Sequence, residues 1–267
     1  MSDSPLPESA LRWTVVVPVK GTADGKSRMA PALSAEQRMR LVEAFALDAV
    51  SALIASPRVA RVIVVTDAQS AVAAPLGALG ADIVPDPGAG LNAAVAAGIA
   101  AASAVAAARI AGPLPTAGVG STAGARGTAG VGQTTGLTPA AGAVPTAVAA
   151  LLGDLPCLTT ADVDAALEAA AAHPLAVVPD AEGTGTTLIT ALPGVPLVPR
   201  FGAGSAARHT AAGHAPLELP PTSTLRLDVD TAADLARAEA RGLGPATALV
   251  VADAARRHTP PPSVTAP

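Results

Sequence analysis

Val148-Ala-Ala-Leu-Leu-Gly-Asp-Leu-Pro156 is the stretch of this 267-residue sequence that decides the fold class. Its apolar run predicts a buried strand, and the strand must end near Asp154 because Pro156 cannot continue a hydrogen-bonded ladder. The strand therefore delivers a carboxylate to its carboxyl end, where open α/β sheets bind their ligands. An aspartate at such a junction is also common as a turn or capping residue, so Asp154 alone does not define a site.

Short apolar runs alternate with helical patterns along the rest of the chain. Further strands are predicted at residues 13–19, 61–66, 81–84, 175–178, 187–192 and 225–229. Helices are predicted at residues 34–53, where Ser34 and Gln37 form a capping-box pattern, and at 69–79, 91–109, 160–172, 205–212, 231–241 and 245–257. This alternation indicates an α/β fold with a doubly wound, mostly parallel, mixed sheet of Rossmann-like type.

One stretch of the chain differs from the rest in composition. Residues 112–146 hold nine Gly, four Pro and seven Thr, and Arg126 is their only charged residue. Such a segment buries too little apolar surface to offset its ordering entropy, so we predict a flexible, low-complexity insert. The remainder is then a single domain over residues 12–257, with flexible tails at residues 1–11 and 258–267.

Charge and composition argue against several classes of partner. With 17 basic and 21 acidic side chains the net charge is −4, so we expect no binding of nucleic acid through phosphate neutralisation. Three aromatic residues offer no stacking platform, and one cysteine allows neither a disulfide framework nor a multi-cysteine zinc site. The sequence starts without a secretory pattern, and its Ala-rich helix is too weakly hydrophobic to span a membrane. We therefore expect a cytoplasmic protein with no membrane partner.

The first predicted strand leads into the loop Lys20-Gly-Thr-Ala-Asp-Gly-Lys-Ser-Arg28. It is not a Walker A loop, because only three residues separate its glycines and Pro31 follows before a helix can begin. Its three cations, Lys20, Lys26 and Arg28, together with the backbone amides, suit a triphosphate. A solvated basic loop is the alternative reading of these residues alone.

A second acidic segment, Asp228-Val-Asp-Thr231, follows the strand predicted at residues 225–229. Side chains two residues apart on a strand share a face, so Asp228 and Asp230 can point the same way, although Asp230 can instead cap the helix that follows. Carboxylates from two strand ends, Asp154 and Asp228, could together hold Mg²⁺, which prefers hard oxygen ligands and substrate phosphates.

A glycine-rich pair of segments comes between these two carboxylates in the sequence. Gly183-Thr-Gly-Thr186 precedes Arg200-Phe-Gly-Ala-Gly-Ser205, which opens a short predicted helix. Backbone amides at the helix start, with neighbouring hydroxyls and Arg200, predict an anion site. The alternative is a glycine-rich turn followed by an ordinary serine N-cap.

In this order the motifs resemble the 2-phospho-L-lactate guanylyltransferase family, which includes the phosphoenolpyruvate guanylyltransferases of coenzyme F-420 biosynthesis. The matching segments lie between residues 13 and 252 and comprise residues 17–31, 86–92, 153–156, 183–186, 200–209 and 228–231. The insert is not an element of that family. The resemblance implies a glycosyltransferase-A-type nucleotidyltransferase fold and transfer of GMP from GTP to phosphoenolpyruvate or 2-phospho-L-lactate.

The resemblance also implies a role for each matching residue. Asp154 and Asp228 would hold Mg²⁺ and would form the catalytic set together with Lys26. The phospho-acid would be bound by Thr186, Gly202 and Ser205, and the nucleotide by Lys20, Lys26, Arg28 and Asn92. A downstream transferase of the same pathway is a further partner that it implies. The alternatives are a nucleotidyltransferase of the molybdopterin or sugar-phosphate type and a non-catalytic nucleotide-binding module.

Removal of residues 112–146, with a short linker joining the flanking segments, is expected to leave guanylyl transfer nearly unchanged. In a βα unit the helix that precedes a strand ends away from the crevice, so the insert should leave the sheet at the opposite edge. Turnover and thermal unfolding of the shortened chain are compared with those of the full chain. A large loss of stability would show that the segment packs against the domain.

Overall fold

The computed structural model describes residues 11–20, 29, 33–111 and 146–258. The strands are β1 (Arg12–Pro18), β2 (Val59–Thr66), β3 (Asp82–Pro85), β4 (Thr146–Leu151), β5 (Leu175–Pro179), β6 (Thr186–Ala191) and β7 (Ala215–Pro216). The helices are α1 (Ala35–Ile54), α2 (Ala73–Ala78), α3 (Leu91–Ala111), α4 (Thr160–Ala170), α5 (Ser205–Ala211), α6 (Ala232–Arg241) and α7 (Pro245–His258). The predicted insert, apart from Thr146, lies outside the described residues.

The seven strands form one mixed sheet in the order β3-β2-β1-β4-β6-β5-β7. Strands β3, β2, β1 and β4 pair in parallel, whereas β6 runs antiparallel to both β4 and β5. The predicted α/β fold with a mostly parallel, mixed sheet is confirmed. Because β6 is reversed, its first residue, Thr186, lies at the sheet edge where β4 ends. The Leu152 N–H donates to the Thr187 carbonyl at 2.9 Å and continues this pairing towards Gly153.

The two central strands are buried on both faces, which is why they read as continuous apolar runs. All residues of β1 after Arg12 are buried, and helices cover the sheet from both sides. On one side α3 comes unusually close. A Cβ on Gly98 would overlap Val16 Cγ1 and would lie 2.9 Å from Val65 Cγ2, so a glycine is needed at this contact. Small residues therefore allow the tight packing of a chain with few aromatic side chains.

Side-chain oxygens fix the starts of two helices. At α1, Ser34 and Gln37 form the predicted capping box, because each side chain accepts the main-chain N–H of the other residue. At α7 the partner comes from a distant helix. The buried Asp48 of α1 accepts the N–H groups of Ala246 and Thr247 at 2.9 and 2.8 Å. Asp48 thereby anchors the end of the described chain to α1.

The strand predicted at residues 225–229 is wrong. Residues Thr224–Arg226 form a 3-10 turn, and no regular element follows until α6. Tertiary hydrogen bonds replace the ladder here: Thr224 donates its N–H and its hydroxyl to Asp162, and the Arg226 guanidinium donates to the Asp180 carbonyl at 3.0 Å.

The helix predicted at residues 69–79 is shorter, since α2 begins only at Ala73. Within the part of the chain described, no helix has the length and hydropathy to cross a membrane.

Substitution of Gly98 by alanine is expected to lower the free energy of unfolding by about 1–3 kcal/mol, because the new methyl group forces α3 away from β1. The matched control is Gly77→Ala in α2, where a Cβ would lie 3.8 Å from Ile83 Cγ1, an ordinary contact. The control should be neutral or gain up to about 1 kcal/mol from helix propensity. Urea denaturation of both variants decides between a packing effect and a general effect of adding a methyl group.

Candidate active site

A cavity of about 330 Å³ opens at the carboxyl ends of β1 and β4. Its walls combine apolar and charged side chains, among them Val42, Phe45, Leu91, Lys20, Asp86, Asp154 and Asp230. It lies where open α/β sheets bind their ligands, and its size fits a small polar molecule with an apolar part. The predicted site at the strand ends and this cavity coincide.

Gly153 determines how Asp154 reaches the cavity. A Cβ on Gly153 would lie 3.2 Å from the Pro18 carbonyl oxygen and 3.3 Å from Val17 Cγ1. The absence of a side chain lets the end of β4 pack directly against the end of β1. Asp154 follows at once and lines the same cavity as Lys20, the residue just beyond β1.

The structure brings the two predicted metal ligands, Asp154 and Asp228, together. The Val229 N–H donates to the Asp154 carbonyl at 3.1 Å and so joins the two acidic loops. Burial, followed by the charges of Asp154, Asp230 and Asp180, raises the pKa of Asp228 to about 7. Like charges thus face one another in a partly desolvated crevice.

Asp230 has a larger part in this crevice than the sequence suggested. Thr231, and not Asp230, caps α6: the Thr231 hydroxyl accepts the Asp234 N–H at 3.2 Å, and Asp234 accepts the Thr231 N–H at 2.7 Å. Asp230 lines both the main cavity and an adjoining acidic cavity of about 250 Å³ that also contains Asp228. The Thr-x-x-Asp spacing at residues 231–234 is the signal that could have assigned the cap correctly.

The acidic crevice fits a divalent cation by its chemistry. Carboxylate oxygens are the ligands that Mg²⁺ prefers, and a cation would relieve the repulsion that raises the pKa of Asp228. Among the described residues, however, no three acidic, histidine or cysteine side chains converge as metal ligands. Two carboxylates can therefore share an ion here, and substrate phosphates and water would have to complete its ligand shell.

Of the predicted triphosphate-binding cations, one can be located. The exposed Lys20 lies at the cavity wall, on the side formed by the end of β1. Lys26 and Arg28 lie outside the described residues, so their assignment stays a prediction from the sequence.

The loop at residues 183–186 uses its amides internally. The N–H groups of Thr184 and Gly185 donate to the buried Asp180 carboxylate at 2.9 and 2.7 Å. A Cβ on Gly185 would overlap the Asp180 Oδ2 atom, which explains the glycine. These two amides are therefore bonded within the protein, which the sequence does not reveal because Asp180 is not part of the motif.

The start of α5 is closed in a similar way. The N–H groups of Ser205 and Ala206 donate to the carbonyls of Gly202 and Thr184 at 3.0 and 3.1 Å. Gly204 precedes the helix with a φ of 70°, so Ser205 is its first residue rather than its N-cap. Two amides of the predicted cradle are therefore bonded within the protein, and the alternative reading of Ser205 as the N-cap is wrong.

Asn92 holds a loop in place through both ends of its side-chain amide. Its Nδ2 donates to the Phe201 carbonyl at 3.1 Å, and its Oδ1 accepts the Phe201 N–H at 2.8 Å. The side chain predicted to bind the nucleotide is thus already bonded to the protein. Asn92 connects the first turn of α3, next to the cavity, to the loop that carries Arg200 and Gly202.

The three residues predicted to bind a phospho-acid occupy one region. Thr186 and Ser205 are buried, and Gly202 has a φ of 118°, a left-handed conformation that glycine adopts without strain. The Ala206–Thr184 hydrogen bond joins the loop before β6 to α5. Thr184, in the loop before β6, lines the acidic cavity of Asp228 and Asp230, so this region borders the crevice.

Comparison with known proteins identifies the relatives of this chain. Residues 13–116 match the family model described as "Guanylyl transferase CofC like". The phosphoenolpyruvate guanylyltransferase of Sanguibacter keddieii is 44% identical over 90% of this chain and 84% of its own length. That of Salinispora arenicola is 45% identical over 91% of this chain and 95% of its own length. The chain belongs to this guanylyltransferase family.

A solved structure agrees on the fold. A protein from Desulfovibrio desulfuricans G20, described as a nucleotide-diphospho-sugar transferase, aligns with a TM-score of 0.59 and 15% identity. The alignment covers 92% of this chain and 96% of that protein. The nucleotidyltransferase-type fold expected for the guanylyltransferase family is therefore confirmed.

Replacement of Asp228 by asparagine is expected to stabilise the metal-free guanylyltransferase at pH 8. The pKa of Asp228 is raised from 3.8 to about 7, so the folded chain binds more protons than the unfolded chain between these values. The free energy of unfolding therefore falls as the pH rises from 3.8 to about 7. Above pH 7 the ionised Asp228 lowers the free energy of unfolding by at most about 4 kcal/mol, and solvent at the mouth of the crevice reduces this loss. The neutral amide of asparagine avoids it.

Urea denaturation at low ionic strength, in EDTA and between pH 4 and 8, measures this effect. The variant should show a flatter pH dependence than the unmodified chain and a higher midpoint at pH 8. Glu239→Gln, which removes one negative charge from an exposed position on α6, is the control. Equal midpoints for the unmodified chain and Asp228→Asn at pH 8 would contradict the repulsion inferred here.

Proposed function

We propose that this chain transfers GMP from GTP to phosphoenolpyruvate and releases pyrophosphate. The observation that carries the proposal is its 44% identity, over 90% of the chain, to a protein named phosphoenolpyruvate guanylyltransferase. The arrangement of the crevice supports it, because Asp154, Asp230 and Lys20 border one cavity at the ends of β1 and β4, and Asp228 lines the adjoining acidic cavity with Asp230. These are the groups that a metal-assisted transfer between two anions requires.

The cavity divides naturally between the two parts of GTP. Apolar side chains of α1 and α3, among them Phe45 and Leu91, suit the nucleoside, while Lys20 stands beside the carboxylates. We assign Lys26 and Arg28 to the triphosphate because they follow Lys20 in the motif of the family. The Asn92 amide orients the Phe201 loop through two hydrogen bonds, and its role towards the nucleotide stays a prediction.

The reaction needs little acid–base chemistry from the protein. A phosphate oxygen of phosphoenolpyruvate is already anionic, so it can attack the α-phosphorus of GTP without a general base. A new P–O bond forms there, the bond to the β-phosphate bridging oxygen breaks, and pyrophosphate leaves with that electron pair. The protein contributes by placing attacking and leaving oxygens in line and by compensating their charge.

We propose Mg²⁺ as the cofactor, held by Asp154 and Asp228. When bound, it neutralises phosphate charge and stabilises the charge that develops on the leaving oxygen. Asp230 lines the same cavity as Asp154 and adds negative potential that favours the cation. Lys20, at the end of β1, compensates phosphate charge in the same cavity.

Thr186, Gly202 and Ser205 are the residues to which we assign the phospho-acid. They lie next to the crevice of Asp154, so an acid bound there could direct its phosphate at the nucleotide. The product would be a guanosine diphosphate ester of enolpyruvate, which a downstream transferase would use in coenzyme F-420 biosynthesis. GTP and phosphoenolpyruvate are cytoplasmic metabolites, so we place the reaction in the cytoplasm.

Asp154→Asn is expected to abolish turnover while leaving the fold intact, because the amide keeps the shape of the side chain and loses the charge that holds the cation. The loss should exceed about 100-fold in kcat. The exposed Asp82→Asn on β3 is the control and should retain full activity. Unchanged turnover in purified Asp154→Asn would remove this residue from the site.

The substrate assignment is tested by incubating the chain with each of the four NTPs and with phosphoenolpyruvate, 2-phospho-L-lactate or 3-phosphoglycerate. Pyrophosphate release is measured with Mg²⁺ and with EDTA, and mass spectrometry identifies the ester. The proposal expects release with GTP and phosphoenolpyruvate, and only with Mg²⁺. Release with another nucleotide alone, or none with any pair, would reject it.

A further inference from the structure

His209 is a buried imidazole that joins two segments assigned above to the phospho-acid. Its Nδ1 lies 3.1 Å from the Thr186 hydroxyl oxygen, and its Nε2 accepts the main-chain N–H of Arg200 at 2.9 Å. The ring has no exposed surface, and Thr186 is 4% exposed. One side chain of α5 therefore connects the start of β6 with the loop that carries Gly202.

The contact with Arg200 decides which ring nitrogen carries the hydrogen. A main-chain N–H can only donate, so Nε2 is the unprotonated acceptor and the hydrogen of the neutral ring is on Nδ1. Burial, followed by the nearby charges of His214 and Arg208, lowers the pKa of His209 to about 4, so the ring is neutral at physiological pH. Its Nδ1–H then faces Thr186 Oγ1 at 3.1 Å, and we infer that it donates to this oxygen, with the Ser205 carbonyl as a second acceptor beside the ring.

This tautomer determines what the Thr186 hydroxyl can do. A hydroxyl that accepts a hydrogen bond from Nδ1–H cannot return its own hydrogen to the same atom. The Thr186 O–H must therefore donate in another direction. The Arg200 N–H donates to the imidazole, and the imidazole donates to Thr186, so each hydrogen bond polarises the next. The Thr186 O–H becomes a stronger donor, as an anionic acceptor requires.

Packing fixes the orientation of the ring. The Phe201 and His214 rings contact it edge-on, with centroids 5.3 and 5.2 Å away. His214 also lies 3.1 Å through its Nδ1 from the His209 carbonyl, which ties the end of α5 to the same cluster. The imidazole therefore cannot flip without breaking these contacts, and the direction of its Nδ1–H is built into the fold.

We propose that His209 is a positioning residue that fixes the Thr186 hydroxyl as a hydrogen-bond donor to an anionic group of the phospho-acid. His209 does not touch the substrate and acts through Thr186 and through the loop at Arg200. This inference rests on the proposed function, because it requires the acid to bind at Thr186.

The tautomer is tested first, without any activity measurement. The chain is labelled with ¹⁵N-histidine, and the two ring nitrogens of His209 are assigned by elimination, from variants that each lack one of the other three histidines. A protonated Nδ1 and an unprotonated Nε2 at pH 7.5 are expected. A protonated Nε2 would overturn the proposal, whatever the kinetics show.

Two isosteric substitutions then separate the two hydrogen bonds. His209→Asn places an N–H near the position of Nδ1 and keeps the donor to Thr186, whereas His209→Gln reaches the position of Nε2 and keeps only the acceptor for Arg200. The KM for phosphoenolpyruvate should stay within about threefold in the Asn variant and rise about tenfold in the Gln variant. The KM for GTP should change by less than about twofold in both. Equal effects of the two substitutions, or the reverse order, would contradict the proposal.

A double-mutant cycle tests whether His209 acts through Thr186. Thr186→Val alone should raise the KM for phosphoenolpyruvate about tenfold, and adding His209→Gln should raise it no further. Thr190→Val, which removes a buried hydroxyl of the same strand that has no hydrogen-bond partner in the described structure, is the matched control and should leave KM unchanged. Effects that multiply would show that His209 acts independently of Thr186.

These outcomes separate the two proposals. An unmodified chain that shows no transfer with any nucleotide and acid rejects the proposed function itself. An unmodified chain that is active, combined with multiplying effects in the cycle, rejects only the role of His209. Should the His209 variants fail to fold, the ring-nitrogen assignment of the unmodified chain still decides between support and rejection.

Discussion

The hydrogen bond from the Val229 N–H to the Asp154 carbonyl is the contact on which the site depends. It places the Asp228 carboxylate beside that of Asp154 in a crevice where solvent screens their repulsion only in part. Such an arrangement lowers the stability of the folded chain, and charged partners that bind there restore it. Stored repulsion of this kind is typical of functional sites, where environment and neighbouring charge shift pKa values together.

The rest of the fold holds that contact in place from both sides. Gly153 lets the end of β4 press against β1, which fixes Asp154 relative to the sheet. The loop of Asp228 has no regular structure of its own and is held by Arg226 on the Asp180 carbonyl and by the capped start of α6. Asp48 then secures α7 to α1, so the segment between these anchors has little freedom to separate the two carboxylates.

Sequence patterns predicted those features that depend on local chemistry. The buried strands, the capping box at Ser34 and the glycine–aspartate junction after β4 each leave a local signature, because β-branched runs, caps and strand ends follow short-range rules. The strand at residues 225–229 was wrong because Asp162 and Asp180 lie far away in the sequence and offer hydrogen bonds in place of a ladder.

The same limit explains the errors within the site. The motif Gly183–Thr186 cannot show that Asp180 accepts the main-chain N–H groups of two of its residues. The supporting roles of Asn92 and His209 could not be predicted either. Asn92 bonds to a main chain more than a hundred residues away, and His209 contacts a hydroxyl on another element, and neither contact leaves a pattern in the sequence. The sequence alone identifies the polar and charged residues that are candidates for the site. The tertiary hydrogen bonds are needed to tell which of them can bind a ligand and which support the fold of the site.

That division suggests how one scaffold can change its acid without changing its chemistry. The nucleotide side of the crevice is built on strand ends, where β1 and β4 fix Lys20 and Asp154 through the sheet. The acid side is built on an irregular loop, held by Asn92 at Phe201, by His209 at Arg200 and by Arg208 on the Arg200 carbonyl. Side-chain hydrogen bonds, and not strand pairing, hold this loop. Substitutions in the loop can therefore change the shape of the acid pocket without moving Asp154 and Asp228. With the phospho-acid assigned to this loop, we expect selectivity between three-carbon acids to depend on the supports of the loop as much as on the residues that touch the acid.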